Sequence, residues 1–225
     1  MVNTTFALSE FDKLLSLLLY FEGYTSGEGQ YVDFTKVNKK KFTRTQIILH
    51  SIAIFSQKGV ADTTVQDLLE ASQVSRRTFY KYFKDKFDVL ENIYSLSVNM
   101  LSKRFVEELE KVSSLSDLIN RVVTLYFEYH TSMGSMIRIV HEEACRLESP
   151  LNKRRTADRE AFVKTFRIHV QKYQTQPCDP MVYYSIFWAL ENASLYLLTE
   201  TECSVADIES CKLVMRKIIH AMVHA

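Results

Sequence analysis

Apolar residues recur at helical intervals along most of the chain, and no stretch alternates apolar and polar positions long enough to form a strand. Phe6, Phe11, Leu14, Leu15, Leu18 and Leu19 predict an amphipathic helix over residues 6–21, and Gly23, Gly27 and Gly29 break it. The helical period resumes at Thr43. Ile47, Ile48, Ser51, Ile52 and Phe55 share one face of a helix that Gly59 closes. Thr64 is placed to cap a second helix, with Asp67 at the capping-box position and Val65, Leu68 and Leu69 turned inward. The turn Ser72-Gln73-Val74 leads to a third helix capped by Ser75. Longer helices are predicted over 86–112, 115–132, 133–148, 151–174, 179–199 and 204–223, with Pro150, Pro177 and Pro180 at joints where a missing N–H is tolerated. The expectation is an all-α protein with an extension over 1–42, a segment of short helices over 43–90 and a larger helical domain over 91–225.

Composition agrees with this pattern. Among 225 residues there are only five Gly and three Pro, too few turn formers for an all-β or loop-rich fold, and 47% of residues are hydrophobic. Cys145, Cys178, Cys203 and Cys211 follow no metal-ligand or C-x-x-C spacing, so reduced, buried thiols are expected. The start lacks the basic residues of a signal peptide, and the apolar run over 14–21 falls short of the ~20 residues of a membrane span. A soluble, cytoplasmic chain with no membrane partner follows as an expectation. Its net charge of +1 hides an asymmetry. The window 36–86 holds eleven basic and four acidic residues, a net +7; the other seventeen basic and twenty-three acidic residues leave −6. Such a basic segment on an acidic body suits a polyanionic partner.

The densest part of that window is VSRRTFYKYF, over 74–83. Wound as a helix, it sets Phe79 and Phe83 on one face, one turn apart, to pack on Val65, Leu68 and Leu69. Arg77, Thr78, Lys81 and Tyr82 remain outside. Two short helices joined by a tight turn, the second cationic outside, make a helix-turn-helix, whose second helix fits the DNA major groove. An ordinary amphipathic helix with a solvated charged face has the same period.

Residues 43–90 resemble, without a gap, the DNA-binding domain of the TetR family of bacterial transcriptional regulators. That family opens with Thr-Arg, then an apolar helix ending in Phe, then Lys-Gly; here these are Thr43-Arg44, Phe55 and Lys58-Gly59. Its next helix begins Thr-Val-x-Asp-Ile, matched by Thr64-Val65-Gln66-Asp67-Leu68. Its recognition segment is matched by Val74, Ser75, Thr78, Phe79, Tyr80, Tyr82 in place of His, Phe83 and Lys86. The resemblance implies that Thr64, Tyr80 and Lys86 hold phosphates, and that Arg76, Arg77, Thr78, Lys81 and Tyr82 face the groove beside the capping Ser75. Three positions depart from the family pattern. Leu69 stands where a small residue is frequent, Gln73 where Gly is usual in the turn, and Arg77 where Gly is usual in the recognition segment. Gln73 would be strained at positive φ, and Arg77 adds a cation.

The resemblance further implies a C-terminal domain that dimerises through its last two helices and encloses a small-molecule pocket. Residues 179–199 and 204–223 each carry a long apolar face, as a four-helix interface requires. Pocket candidates are Tyr126, His130, Phe162, Phe166, His169, Phe187, Trp188 and Glu191, with an aromatic, amphipathic effector favoured over a sugar. An aromatic stripe at helical spacing is more often core. His141, Glu142 and Cys145 share a helix face, but no second cluster completes a metal site, so neither metal nor cofactor is expected. No catalytic motif appears, and no enzyme is expected. The reading is a ligand-responsive, homodimeric regulator, a repressor on palindromic double-stranded DNA. Its rival is an all-α small-molecule-binding protein without sequence-specific DNA binding.

Overall fold

A computed structural model describes residues 39–174, 176–199 and 203–224. The helix foreseen over 6–21 lies outside them. The described residues form α1 (Lys39–Asp62), α2 (Val65–Ser72), α3 (Arg76–Tyr80), α4 (Lys86–Leu109), α5 (Leu115–Met133), α6 (Ser135–Cys145), α7 (Pro150–Val170), α8 (Pro180–Thr199) and α9 (Val205–His224). No strand occurs among them. The described residues divide into two compact units on either side of Ser97 and Val98, with α4 continuing across the division.

In the first unit α1 packs on α2. The face foreseen on α1 is the core: Ile47, Ile48, Ser51, Ile52 and Phe55 are each at most 2% exposed. The Ser51 hydroxyl donates back to the Ile47 carbonyl at 2.7 Å, which satisfies it inside its own helix. Gly59 interrupts α1 at φ 76°, ψ 161°. A Cβ there would meet nothing within 4 Å, so the backbone angle alone selects glycine. Leu69, larger than the family pattern favours, is accommodated and buried.

In the second unit α5 is the hub, packed against α6, α7, α8 and α9. Its N-terminus is capped by Ser114, whose hydroxyl accepts from the Asp117 amide at 3.1 Å. Arg121 then ties the helix to the end of α4 by donating to Glu108 at 2.8 Å and Asp117 at 3.0 Å. Phe187 of α8 lies at the centre of a ring cluster, with centroids 5.6 Å from Phe166, 5.7 Å from Tyr126, 6.1 Å from Phe105 and 6.4 Å from Phe162. Edge-to-face contacts of this kind contribute beyond simple burial. The other side of the last two helices is uncovered. Met181, Trp188 and Tyr196 on α8, and Leu213, Val214 and Ile218 on α9, are 40–61% exposed.

Candidate nucleic-acid interface

The interface is assembled from two caps and a turn. At the start of α2 the Thr64 hydroxyl accepts from the Asp67 amide at 3.2 Å, and Asp67 Oδ2 accepts from the Thr64 amide at 2.8 Å, completing a capping box. Lys58 donates to Asp67 Oδ1 at 2.6 Å. That bond, followed by the bonds from the Thr64 amide and hydroxyl, holds the Asp67 carboxyl down to about 2. Thr64 itself is exposed at the mouth of the helix, with the α2 amides behind it.

α2 ends in a left-handed residue. Gln73 sits at φ 53°, ψ 35°, its amide donating to the Glu70 carbonyl at 3.3 Å, and the Val74 amide reaches the Leu69 carbonyl at 3.3 Å. The strain foreseen for a non-glycine at this position is present. Ser75 then caps α3, its hydroxyl accepting from the Thr78 amide at 3.1 Å and lying 2.9 Å from the Thr78 hydroxyl. α3 has five residues, continued by turns in which the Tyr82 and Phe83 amides donate to the Phe79 carbonyl. Phe79 and Phe83 are 0% and 1% exposed, with centroids 5.8 Å apart, and they anchor the segment.

With the phenylalanines inward, Ser75, Arg76, Arg77, Tyr80 and Lys81 are exposed, and Thr78 and Tyr82 are half-buried. Arg76 donates to Gln66 at 3.2 Å, and the Lys81 ammonium lies 5.9 Å from the Tyr82 ring centre. The face therefore presents cations and hydroxyls, the donors that phosphates and guanine edges accept from. Lys86 also has partners within the protein. Its ammonium donates to the carbonyls of Val60, Ala61 and Thr63 at 2.8, 2.8 and 2.6 Å, so all three protons are committed to the corner between α1 and α2. A lysine at the start of one helix gives no local sign of reaching a loop 23–26 residues earlier.

Residues 47–93 match the sequence profile of the bacterial regulatory proteins of the tetR family. A curated relative, the HTH-type transcriptional regulator AcrR of Shigella flexneri, is 34% identical over 65 residues. That match spans 29% of this chain and 30% of the relative's length. Among solved structures, Salmonella enterica GusR superposes with a TM-score of 0.67 at 16% identity, covering 84% of this chain and 100% of that one. The fatty acid degradation regulator FadR of Bacillus halodurans gives 0.65 at 16% identity, covering 80% and 96%. Such distant likenesses establish the fold: an N-terminal helix-turn-helix followed by a helical domain. Over residues 47–93 the chain thus carries the helix-turn-helix sequence pattern of the tetR family.

The residues expected to line a pocket are divided by the structure. Tyr126, Phe162, Phe166 and Phe187 interlock in the buried ring cluster, and His130 is 5% exposed beside Tyr126. His169 is half-buried, its Nδ1 on the Thr165 carbonyl at 2.9 Å, and Trp188 lies on the exposed face of α8. Burial pushes the His130 imidazole down to about 4, against the Tyr126 carbonyl that it donates to at 2.9 Å and the Glu191 charge, both of which favour its proton. Glu191 accepts from Arg155 at 2.9 Å and His141 at 3.2 Å. Burial works to raise its carboxyl, but His141 and the charges of Arg155 and Arg159 outweigh it and hold the carboxyl below the usual range. Beside Glu191 an open groove of about 580 Å³ runs between α6 and α8, lined by Arg138, His141, Asn192, Leu195 and Tyr196 among others. Sequence reasoning singled out Glu191, but not the groove. No group of three or more metal-ligating side chains converges among the described residues. No described helix is long and apolar enough to cross a membrane.

Proposed function

We propose that the chain is a ligand-responsive transcriptional repressor that binds a palindromic operator as a homodimer. The observation that carries the reading is the exposed row Arg76, Arg77, Tyr80 and Lys81 on a segment anchored from beneath by Phe79 and Phe83. Arg77, Lys81, Thr78 and Tyr82 read base edges with Arg76; Thr64, Ser75 and Tyr80 position the helix on phosphates. Dimerisation uses the apolar faces of α8 and α9, since Leu213, Val214 and Ile218 leave a surface that a second copy with the same residues covers symmetrically. Two recognition helices then meet half-sites about one DNA turn, ~34–36 Å, apart. An effector in the second unit acts by displacing α4, the helix that begins at Lys86 and continues past the division. It must bind one separation of the reading heads more tightly than the other. The Lys86 bonds to the corner ahead of Thr64 make that corner follow the start of α4.

Selection of bound duplexes from a random DNA pool tests the reading, with Arg77→Ala as control. An enriched palindrome that relaxes in the variant is expected, with affinity falling steeply with salt. Weak, salt-sensitive binding without enrichment and indifferent to Arg77→Ala would instead leave a basic surface without sequence preference.

A further inference from the structure

The second unit holds a side-chain relay that the DNA-binding reading does not use. Cys145, the last residue of α6, is exposed, and its Sγ lies 3.4 Å from His141 Nε2, one turn back. The other ring nitrogen, His141 Nδ1, lies 3.2 Å from Glu191 Oε1, and Arg155 holds Glu191 Oε2 at 2.9 Å. This order fixes the protons. An ionised Glu191 accepts from Nδ1–H, which leaves the Nε2 lone pair facing the thiol. A nucleophile, a base and a carboxylate that orients the base are thus in line. The groove that His141 lines supplies room for an organic molecule, with apolar Leu195 and Tyr196 and polar Arg138 and Asn192 also in its lining.

We propose that Cys145 is a covalent capture site for soft carbon electrophiles, α,β-unsaturated carbonyl compounds above all. The Cys145 Sγ–C bond forms at the β-carbon, and the alkene π pair moves to the enolate. His141 Nε2 takes the thiol proton and returns it to the α-carbon, so no oxidant, reductant or leaving group is needed. The C-terminal end of α6 opposes a standing thiolate, so the proton moves to His141 as the S–C bond forms. Glu191 is a positioning residue: it acts on the thiol only through His141. Cys178 has no such base; its Sγ lies among Gln174 and the Val223 carbonyl. On the regulator reading, this is an effector site, but the test below measures the chemistry alone and so fails or succeeds apart from DNA binding.

The intact protein is treated with 2-cyclohexen-1-one at near-equimolar ratio, and adducts are mapped by peptide mass spectrometry over time. Cys145 is expected to be alkylated first, ahead of Cys178, Cys203 and Cys211. His141→Gln and Glu191→Gln should each slow Cys145 by about tenfold or more. In Glu191→Gln the rate should then climb about tenfold per pH unit between about pH 6 and 8, as for an unassisted thiol, where the wild-type rate climbs less steeply. A folded His141→Gln protein that reacts at the wild-type rate overturns the proposal. If that variant fails to fold, wild-type protein decides: alkylation of Cys145 no faster than of Cys178 or Cys203 is equally fatal.

Discussion

Gln73 occupies a left-handed backbone position that an L side chain disfavours by about 1–2 kcal/mol. Gln73→Gly should therefore stabilise the first unit by about 0.5–1 kcal/mol, once the extra freedom of glycine in the unfolded chain is subtracted. The measurement is the urea midpoint at unchanged slope. Lys86 gives a sharper test, because its two candidate roles separate. A lysine that only touches phosphate leaves the DNA-free protein as stable as before when replaced. A lysine bonded to three carbonyls does not, and Lys86→Met should lower stability by about 2 kcal/mol in the absence of DNA. Unchanged stability with weakened DNA binding would return Lys86 to the phosphates.

At the scale of elements, the caps were open to sequence reading because they are local. Thr64 with Asp67, and Ser75 before its helix, follow from residue type and a spacing of three, and each is found where expected. The long helices were equally legible; from 115 onward the foreseen bounds differ from the structure by only a few residues. What stayed hidden is what the chain brings together from afar: the reach of Lys86 to the α1–α2 corner, and the line from Cys145 through His141 to Glu191 across two helices. Tyr126, Phe162, Phe166 and Phe187 have one period whether they line a cavity or fill it, so packing alone decides, and the rings are packed. The α2 cap also predicts a pH effect. The Asp67 carboxyl titrates near 2 when folded and near 3.8 when unfolded, so its contribution is complete above about pH 4 and lost as pH falls through about 2. Melting temperatures of wild type and Asp67→Asn should differ near neutrality and converge at the acid end.

For the molecule as a whole, His130 sets a second, wider acid limb. The ring titrates near 4 when folded, against 6.5 when unfolded, so between those values the unfolded chain binds a proton that the native state refuses. Stability is full above about pH 6.5 and falls with acid towards about pH 4, by at most about 1.4 kcal/mol per unit from this group. Thermal melts of His130→Gln over that range should show a shallower slope; an identical slope would assign the acid limb to other groups. The charge asymmetry belongs to this scale too. A basic window on a chain of near-neutral sum concentrates polyanion attraction in one segment without making the whole protein sticky.

The brevity of α3 has a consequence beyond geometry. Five residues cannot sustain a helix in water by themselves, so this one exists because Phe79 and Phe83 are seated in the core beneath it. A peptide cut from 74–83 should be a coil and recognise nothing. Within the intact protein the arginines hold their places only while that core is formed. On the proposed DNA-binding reading, operator occupancy should then behave as a thermometer: warming, or weakening Ile47 or Leu68 in the core, is expected to reach the DNA as lost affinity before the fold is visibly gone.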